Sequence, residues 1–296
     1  MQTTQCRSWR SGWCLLLLLC GLALSALCAA DTLLHEQPSM FGTIVVTEDD
    51  AGVRTLRFGR AGPRQSVVKP GDPDYLALQY TRSAFVGLAL VEAPRRMLVV
   101  GVGGGTLPMF LRKHYPEAAI DAVDIDPNVI DVARKFLGFR EDATLRAHAA
   151  DGRAFIEAVR EPYDVIFLDA FSSSELPAHL TTQEFLRAVR RALSPRGVVV
   201  GNIWDRYANR LYDSMIRTYQ ETFDELYMLN VPTAGNKILL ALPRALKLNE
   251  EEIEARAREV GADRKFRFDL GDAATYGFVH LRERNAAGQV LRDVKP

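Results

Sequence analysis

From Met97 to Ile203 the chain alternates short apolar runs with amphipathic stretches, and this alternation limits its possible folds more than any other feature. Met97–Val102, Ile120–Val123, Thr144–Ala147, Val165–Leu168 and Val198–Ile203 read as strands. Leu107–His114, Pro127–Phe136, Gly152–Val159, Thr182–Leu193 and Arg210–Phe223 carry apolar residues at helical spacing. Strands that are apolar on both faces, each followed by a helix, imply a parallel sheet covered on both sides. The expected fold class is α/β, a Rossmann-like doubly wound, mostly parallel sheet. Glu225–Asn230 and Lys237–Leu242 read as a closing hairpin, and Asn249–Val260 as a charged helix.

The strand-to-helix joint after Val100 is "GVGGGT", with glycines at 101, 103, 104 and 105. In a doubly wound sheet, ligands bind beyond the carboxyl ends of the strands. Missing side chains let a ligand lie against backbone there, near the positive end of the next helix. A dinucleotide fingerprint would need a glycine at 106, which is Thr106. Gly101, Gly103 and Gly105 instead have the spacing usual for adenosyl sulfonium compounds, which carry no pyrophosphate. The second strand ends in Asp124, placed to accept hydrogen bonds from two ribose hydroxyls. Asp126 precedes Pro127 and reads as a helix N-cap. Asp151, followed by Gly152, is open to two roles, contact with an adenine amino group and capping of the next helix. Asp164 begins the fourth strand and is expected at the surface. Asp169 ends that strand. A buried carboxylate without a partner costs several kcal/mol, so an acid after Phe167 and Leu168 is expected to face a polar ligand.

Upstream, Gly42–Glu48, Val53–Phe58 and the stretch from Gln65 form short alternating strands around turns, an expected antiparallel β unit over residues 40–70. Tyr75 to Val91 has helical spacing. Residues 1–30 differ from everything that follows. Arg7 and Arg10 precede an apolar run of about 15 residues and small residues at 28–30, the pattern of a secretory signal. Export is expected, to the periplasm or as a membrane-anchored form, with cytoplasmic residence if the start codon is misassigned. All four cysteines lie in this leader, so a mature chain has no disulfide, thiolate zinc site or cysteine nucleophile. The leader holds two arginines and no acid, which leaves the rest with a net charge of about −2 and gives no support to nucleic-acid binding. The expected organisation is leader 1–30, β unit 31–73, adenosyl-binding domain 74–243 and C-terminal extension 244–296.

The stretch from Arg95 through Gly138, with "AADGRAF", "YDVIFLDAFSSSELPAHLTTQEF" and "GVVVGNIW", resembles the spermidine synthase (polyamine aminopropyltransferase) family. The resemblance runs from about Gly42 to Leu242. It implies a class I methyltransferase-like sheet with a small N-terminal antiparallel β unit. It also implies aminopropyl transfer from decarboxylated S-adenosylmethionine, as co-substrate and with no tightly bound cofactor or metal, to an amine such as putrescine. By the resemblance, the glycine loop and Asp124 hold the thioadenosine ribose, and Asp151 and Gly152 meet the adenine. Asp169 is the proton acceptor, Tyr75 lines the amine channel, and Gln65 joins the substrate site. Homo-oligomers are expected.

The sequence departs from the family pattern on the amine side. A loop aspartate is replaced by Gly104, a second acid after the fourth strand by Ser172, and a polar residue after the channel tyrosine by Leu76. Glu175 is a candidate replacement. His179 is either a base on a lid or a surface residue, and Trp204 either walls the pocket or packs. Two other readings stand beside the first. One is an S-adenosylmethionine-dependent methyltransferase, although Val99 occupies a position where those enzymes often carry an acid. The other is a non-catalytic binder of polyamines or nucleosides.

Overall fold

The apolar runs become the middle strands of one large sheet. The structure, a computed structural model, describes residues 31–171 and 177–294. The leader, Ser172 and Glu175 lie outside the described residues. Four strands come first, β1 (Thr32–Ser39), β2 (Gly42–Glu48), β3 (Arg54–Phe58) and β4 (Arg64–Val68), as an antiparallel sheet in chain order. Then follow α1 (Gln79–Ala84), β5 (Arg96–Val100), α2 (Thr106–His114), β6 (Ala119–Asp124), α3 (Pro127–Phe136), β7 (Leu145–Ala149), α4 (Gly152–Glu157) and β8 (Tyr163–Leu168). The chain continues with α5 (Gln183–Arg191), β9 (Leu193–Trp204), α6 (Tyr212–Gln220), β10 (Glu225–Asn230), β11 (Asn236–Leu242), α7 (Glu250–Asp263), α8 (Leu270–Thr275) and β12 (Val279–His280).

The large sheet runs β12-β10-β11-β9-β8-β5-β6-β7. β9, β8, β5, β6 and β7 are mutually parallel, while β11, β10 and β12 add antiparallel at one side. From β5 the chain first builds outward through β6 and β7, then returns to place β8 on the other side. The reversal at β5 and β8 opens a crevice at their carboxyl ends, the usual ligand position. Successive residues of β5 face opposite layers. Met97 and Val99 pack with Phe85, Phe110 and Tyr227, whereas Leu98 and Val100 pack with Phe185, Ile216 and Tyr219. Burying such a side chain stabilises by about 1.5–3 kcal/mol, so two full apolar layers hold the crevice walls still.

Several local expectations are corrected. β1 falls within the expected β unit of residues 31–73 but precedes the stretch 40–70 in which strands are read. Its composition is mixed and it contains Pro38, which an edge strand tolerates because its outer side needs no donor. Helix forms from Gln79, not Tyr75, and passes into a 3₁₀ turn at Phe85–Leu90, all of whose residues are buried. A Cβ at Gly87 would overlap the Val200 side chain, so this turn packs closely on the sheet. Asp164 is half-buried and accepts the Arg95 and Arg96 N–H groups at 2.8 and 3.1 Å and the Ser194 hydroxyl at 3.1 Å. It anchors the start of its strand. Asp126 caps α3 through the Asn128 N–H at 2.9 Å. The same carboxylate accepts from the Ser39 hydroxyl and the Met40 N–H, which ties the small sheet to the large one. Among the described residues no helix is long and apolar enough to cross a membrane.

Candidate active site

Three strand ends are locked together by backbone hydrogen bonds. Gly101 N–H donates to Val123, Asp169 N–H to Val100 and Ala150 N–H to Asp124, all within 2.8–2.9 Å. This register puts Asp124, Asp151 and Asp169 around one cavity of about 490 Å³. That lies within the range of small-molecule sites, about 300–1,000 Å³. Gly101, with φ +102°, is where the loop crosses the end of β8. A Cβ there would overlap the Asp169 carbonyl oxygen. Gly103 and Gly105 also have positive φ, and Gly101, Gly103 and Gly152 all line the cavity. The small sheet buttresses the loop, since Gly104 N–H donates to Ser66 Oγ at 2.7 Å. A Cβ at Gly104 would lie 2.8 Å from Ser66 Cβ.

Asp124 faces the loop. Its Oδ2 accepts the Val102 N–H at 2.9 Å and its Oδ1 the Asp126 N–H at 3.0 Å. Burial pushes its pKa up, and these N–H groups only partly offset that. The Gly103 N–H is a third backbone partner of this carboxylate, which leaves one of its four lone pairs for a ligand hydroxyl. Asp151 caps α4 by accepting the Ala154 N–H at 2.9 Å and also meets His179 Nε2 at 2.9 Å. Burial raises its pKa, but the Ala154 and His179 hydrogen bonds outweigh that and hold the carboxyl below the usual range. His179 therefore sits on the cavity rim, paired with an acid. Among the described residues no cluster of three or more His, Asp or Glu side chains is arranged to hold a metal ion.

Asp169 is held differently. Its Oδ1 accepts from Asn202 Nδ2 at 2.8 Å and its Oδ2 from the Tyr80 hydroxyl at 3.0 Å. Asn202 in turn accepts from Asn236 Nδ2 at 2.9 Å. Burial pushes the Asp169 pKa up to about 6, against the pull of these two neutral donors. The same burial, together with the neighbouring carboxylate, pushes the Tyr80 hydroxyl well above its ordinary value. An acid poised in this way can hold an ammonium and later take its proton.

Gln65 and Trp204 also line the cavity; the Trp204 ring meets Phe171 edge-on at 6.0 Å, and its indole N–H is buried without a partner among the described residues. Tyr75 does not line it. Backbone turns at Asp72 and Asp74 and the Asp74 contacts with Lys113 and His114 pin this segment against α2, and Leu76 enters the core. Between Asp72 and Tyr80 only Ala77, Leu78, Gln79 and Tyr80 line the cavity, and the phenol at its wall there is that of Tyr80. Tyr80, Asn202, Asn236 and Ser66 were not among the expected site residues. Only Asn202 carries a signal, a polar residue inside the apolar run "GVVVGNIW".

A model of the spermine/spermidine synthase domain matches residues 81–243. A polyamine aminopropyltransferase of Vibrio vulnificus is 33% identical over 252 residues, 83% of each chain. Among solved structures, a probable spermidine synthase from Corynebacterium glutamicum superposes with a TM-score of 0.74 at 21% identity, covering 88% of this chain and 97% of that one. Human methyltransferase-like protein 13 in complex with SAH gives a TM-score of 0.59 at 31% identity, over 63% of this chain and 92% of that one.

Proposed function

The chain belongs to the spermine/spermidine synthase family of transferases, and on that premise we propose that it moves an aminopropyl group from decarboxylated S-adenosylmethionine to a primary amine. The observation that carries this reading is Asp169, which faces the cavity beside the glycine loop with neutral partners on both oxygens. In the proposed reaction, the ribose rests on Asp124 and the adenine reaches toward Asp151 and Gly152. The sulfonium activates its neighbouring propyl carbon. A free alkylamine has a pKa near that of lysine, about 10.4, and arrives protonated. Asp169 binds the ammonium and accepts its proton. The nitrogen lone pair then forms the C–N bond while the C–S bond breaks. Sulfur keeps that electron pair, and neutral methylthioadenosine leaves. General-base assistance of this kind contributes about 10²–10⁴-fold, and positioning by the rigid strand ends adds to it. The proposal includes export by the leader and assembly into homo-oligomers, which N-terminal sequencing of the mature protein and sedimentation would test.

A second reading, methyl transfer from S-adenosylmethionine, is favoured by the 31% identity to human methyltransferase-like protein 13 in complex with SAH. Incubation of the protein with each donor and a panel of amines separates the two. Amine-dependent release of methylthioadenosine is the expected result. Release of S-adenosylhomocysteine selects the second reading, and nucleoside binding without turnover contradicts both.

A further inference from the structure

One of the two donors to Asp169 is itself held in place. Asn202 lies opposite Ile238 in the β9–β11 pair, so Asn202 and Asn236 are diagonal neighbours on one face of the sheet. Both asparagines are buried, and so are Val200 and Ile238 beside them on that face. Asn236 Nδ2 donates to Asn202 Oδ1 at 2.9 Å, and Asn202 Nδ2 donates to Asp169 Oδ1 at 2.8 Å. An amide has one accepting end and one donating end, and an ionised carboxylate can only accept. Only one orientation of the Asn202 amide therefore suits an ionised Asp169, the one with its nitrogen inward. Turned over, the amide would present its oxygen to Asp169, a contact that only the protonated acid could make. Asn236 places a donor on Asn202 Oδ1 and so selects the first orientation.

We propose that Asn236 is a positioning residue that sets the proton affinity of Asp169 by fixing the direction of the Asn202 amide; its bearing on catalysis rests on the aminopropyl-transfer reading. Among the described residues the hydrogen-bond partners of the Asp169 carboxylate are Tyr80 and Asn202, so Asn236 acts through Asn202. Burial raises the Asp169 pKa to about 6, and the Asn202 hydrogen bond pulls it down. The two act in opposite senses, one letting Asp169 take a proton, the other keeping it ionised to meet an ammonium. Tyr80 is the ionisable group in contact with Asp169, and Asp124, Asp151, His179 and Arg64 line the same cavity. All of them are unchanged across the variants that test the relay.

A double-mutant cycle separates a relay from a bystander. The Asp169 carboxyl is titrated by carbon-13 NMR in the ligand-free full chain, its signal assigned by its loss in Asp169→Asn. Asn236→Leu keeps the size of the side chain and removes the donor. It is expected to raise the Asp169 pKa by about one pH unit, a roughly tenfold gain in proton affinity. In an Asn202→Leu background the same substitution is expected to leave the pKa unmoved. No shift in the first background, or an equal shift in both, overturns the proposal. Asn236→Ala, read in the same way, replaces the leucine variant if that one does not fold. The acid limb of kcat/KM should rise with the titrated pKa, and a limb that stays in place overturns the part played in catalysis. Absence of turnover with any amine removes the aminopropyl-transfer reading, while the titration still decides whether Asn236 tunes Asp169.

Discussion

The two halves of the cavity are made of different material. The side proposed to hold the nucleoside consists of backbone: three strand ends, a glycine loop and two carboxylates fixed by N–H groups of their own neighbourhood. The side proposed to hold the acceptor consists of side chains from separate segments, with Tyr80 before the large sheet, Asp169 after β8, Asn202 on β9 and Asn236 on β11. A backbone-built site follows from topology and tolerates little change. A site built from side chains can be rebuilt one residue at a time.

The contrast can be broken experimentally. Asp169→Asn is expected to lower turnover by about 10²–10⁴-fold while leaving methylthioadenosine affinity within about threefold, roughly 0.7 kcal/mol. A comparable loss of affinity would mean that the halves are one unit. The same variant should make the ligand-free protein more stable at neutral pH. The folded pKa of Asp169, about 6, lies above its ordinary 3.8. The folded state therefore holds the proton more tightly, and stability falls as pH rises through that window. Asparagine does not ionise, so thermal unfolding at pH 7.5 should report a gain of about 2–3 kcal/mol. No gain would argue against the burial assigned to Asp169.

Gly101→Ala strikes where the halves meet. Its φ of +102° and the overlap of a Cβ with the Asp169 carbonyl should cost about 2–4 kcal/mol in denaturant unfolding. A neutral result would deny the close crossing of loop and strand. Asp124→Ala tests the nucleoside side alone. Methylthioadenosine binding should weaken by about 1–3 kcal/mol, and equal affinity by calorimetry would remove Asp124 from ribose recognition. The smallest effect is expected from Tyr80→Phe. Loss of its hydrogen bond lets the Asp169 pKa rise above about 6. The acid limb of the kcat/KM profile should then move upward by about one pH unit, or 1.4 kcal/mol. An unmoved limb would place the ionisation elsewhere.

What could be read from the sequence follows the same division. The parallel strands, the loop glycines and the acids at positions 124, 151 and 169 lie at ends of periodic segments, so hydrophobic pattern locates them. Asp126 announced its cap through Pro127. Tyr80 lines the cavity where the sequence points to Tyr75, because the start of α1 depends on where Asp74 is held by Lys113 and His114, contacts distant in sequence. Asn236 reaches Asn202 only through the β9–β11 pairing. The Asp151–His179 contact spans 28 positions and leaves no periodic trace.

The central claim is that a thionucleoside lies along the glycine loop with its sulfur turned toward Asp169, and a crystal structure of the protein with methylthioadenosine tests it most directly. The account predicts a ribose hydroxyl on Asp124, the adenine near Asp151 and Gly152, and the sulfur on the Asp169 side of the cavity. A cavity that stays closed to the nucleoside, or a nucleoside bound with its sulfur directed away from Asp169, would contradict it.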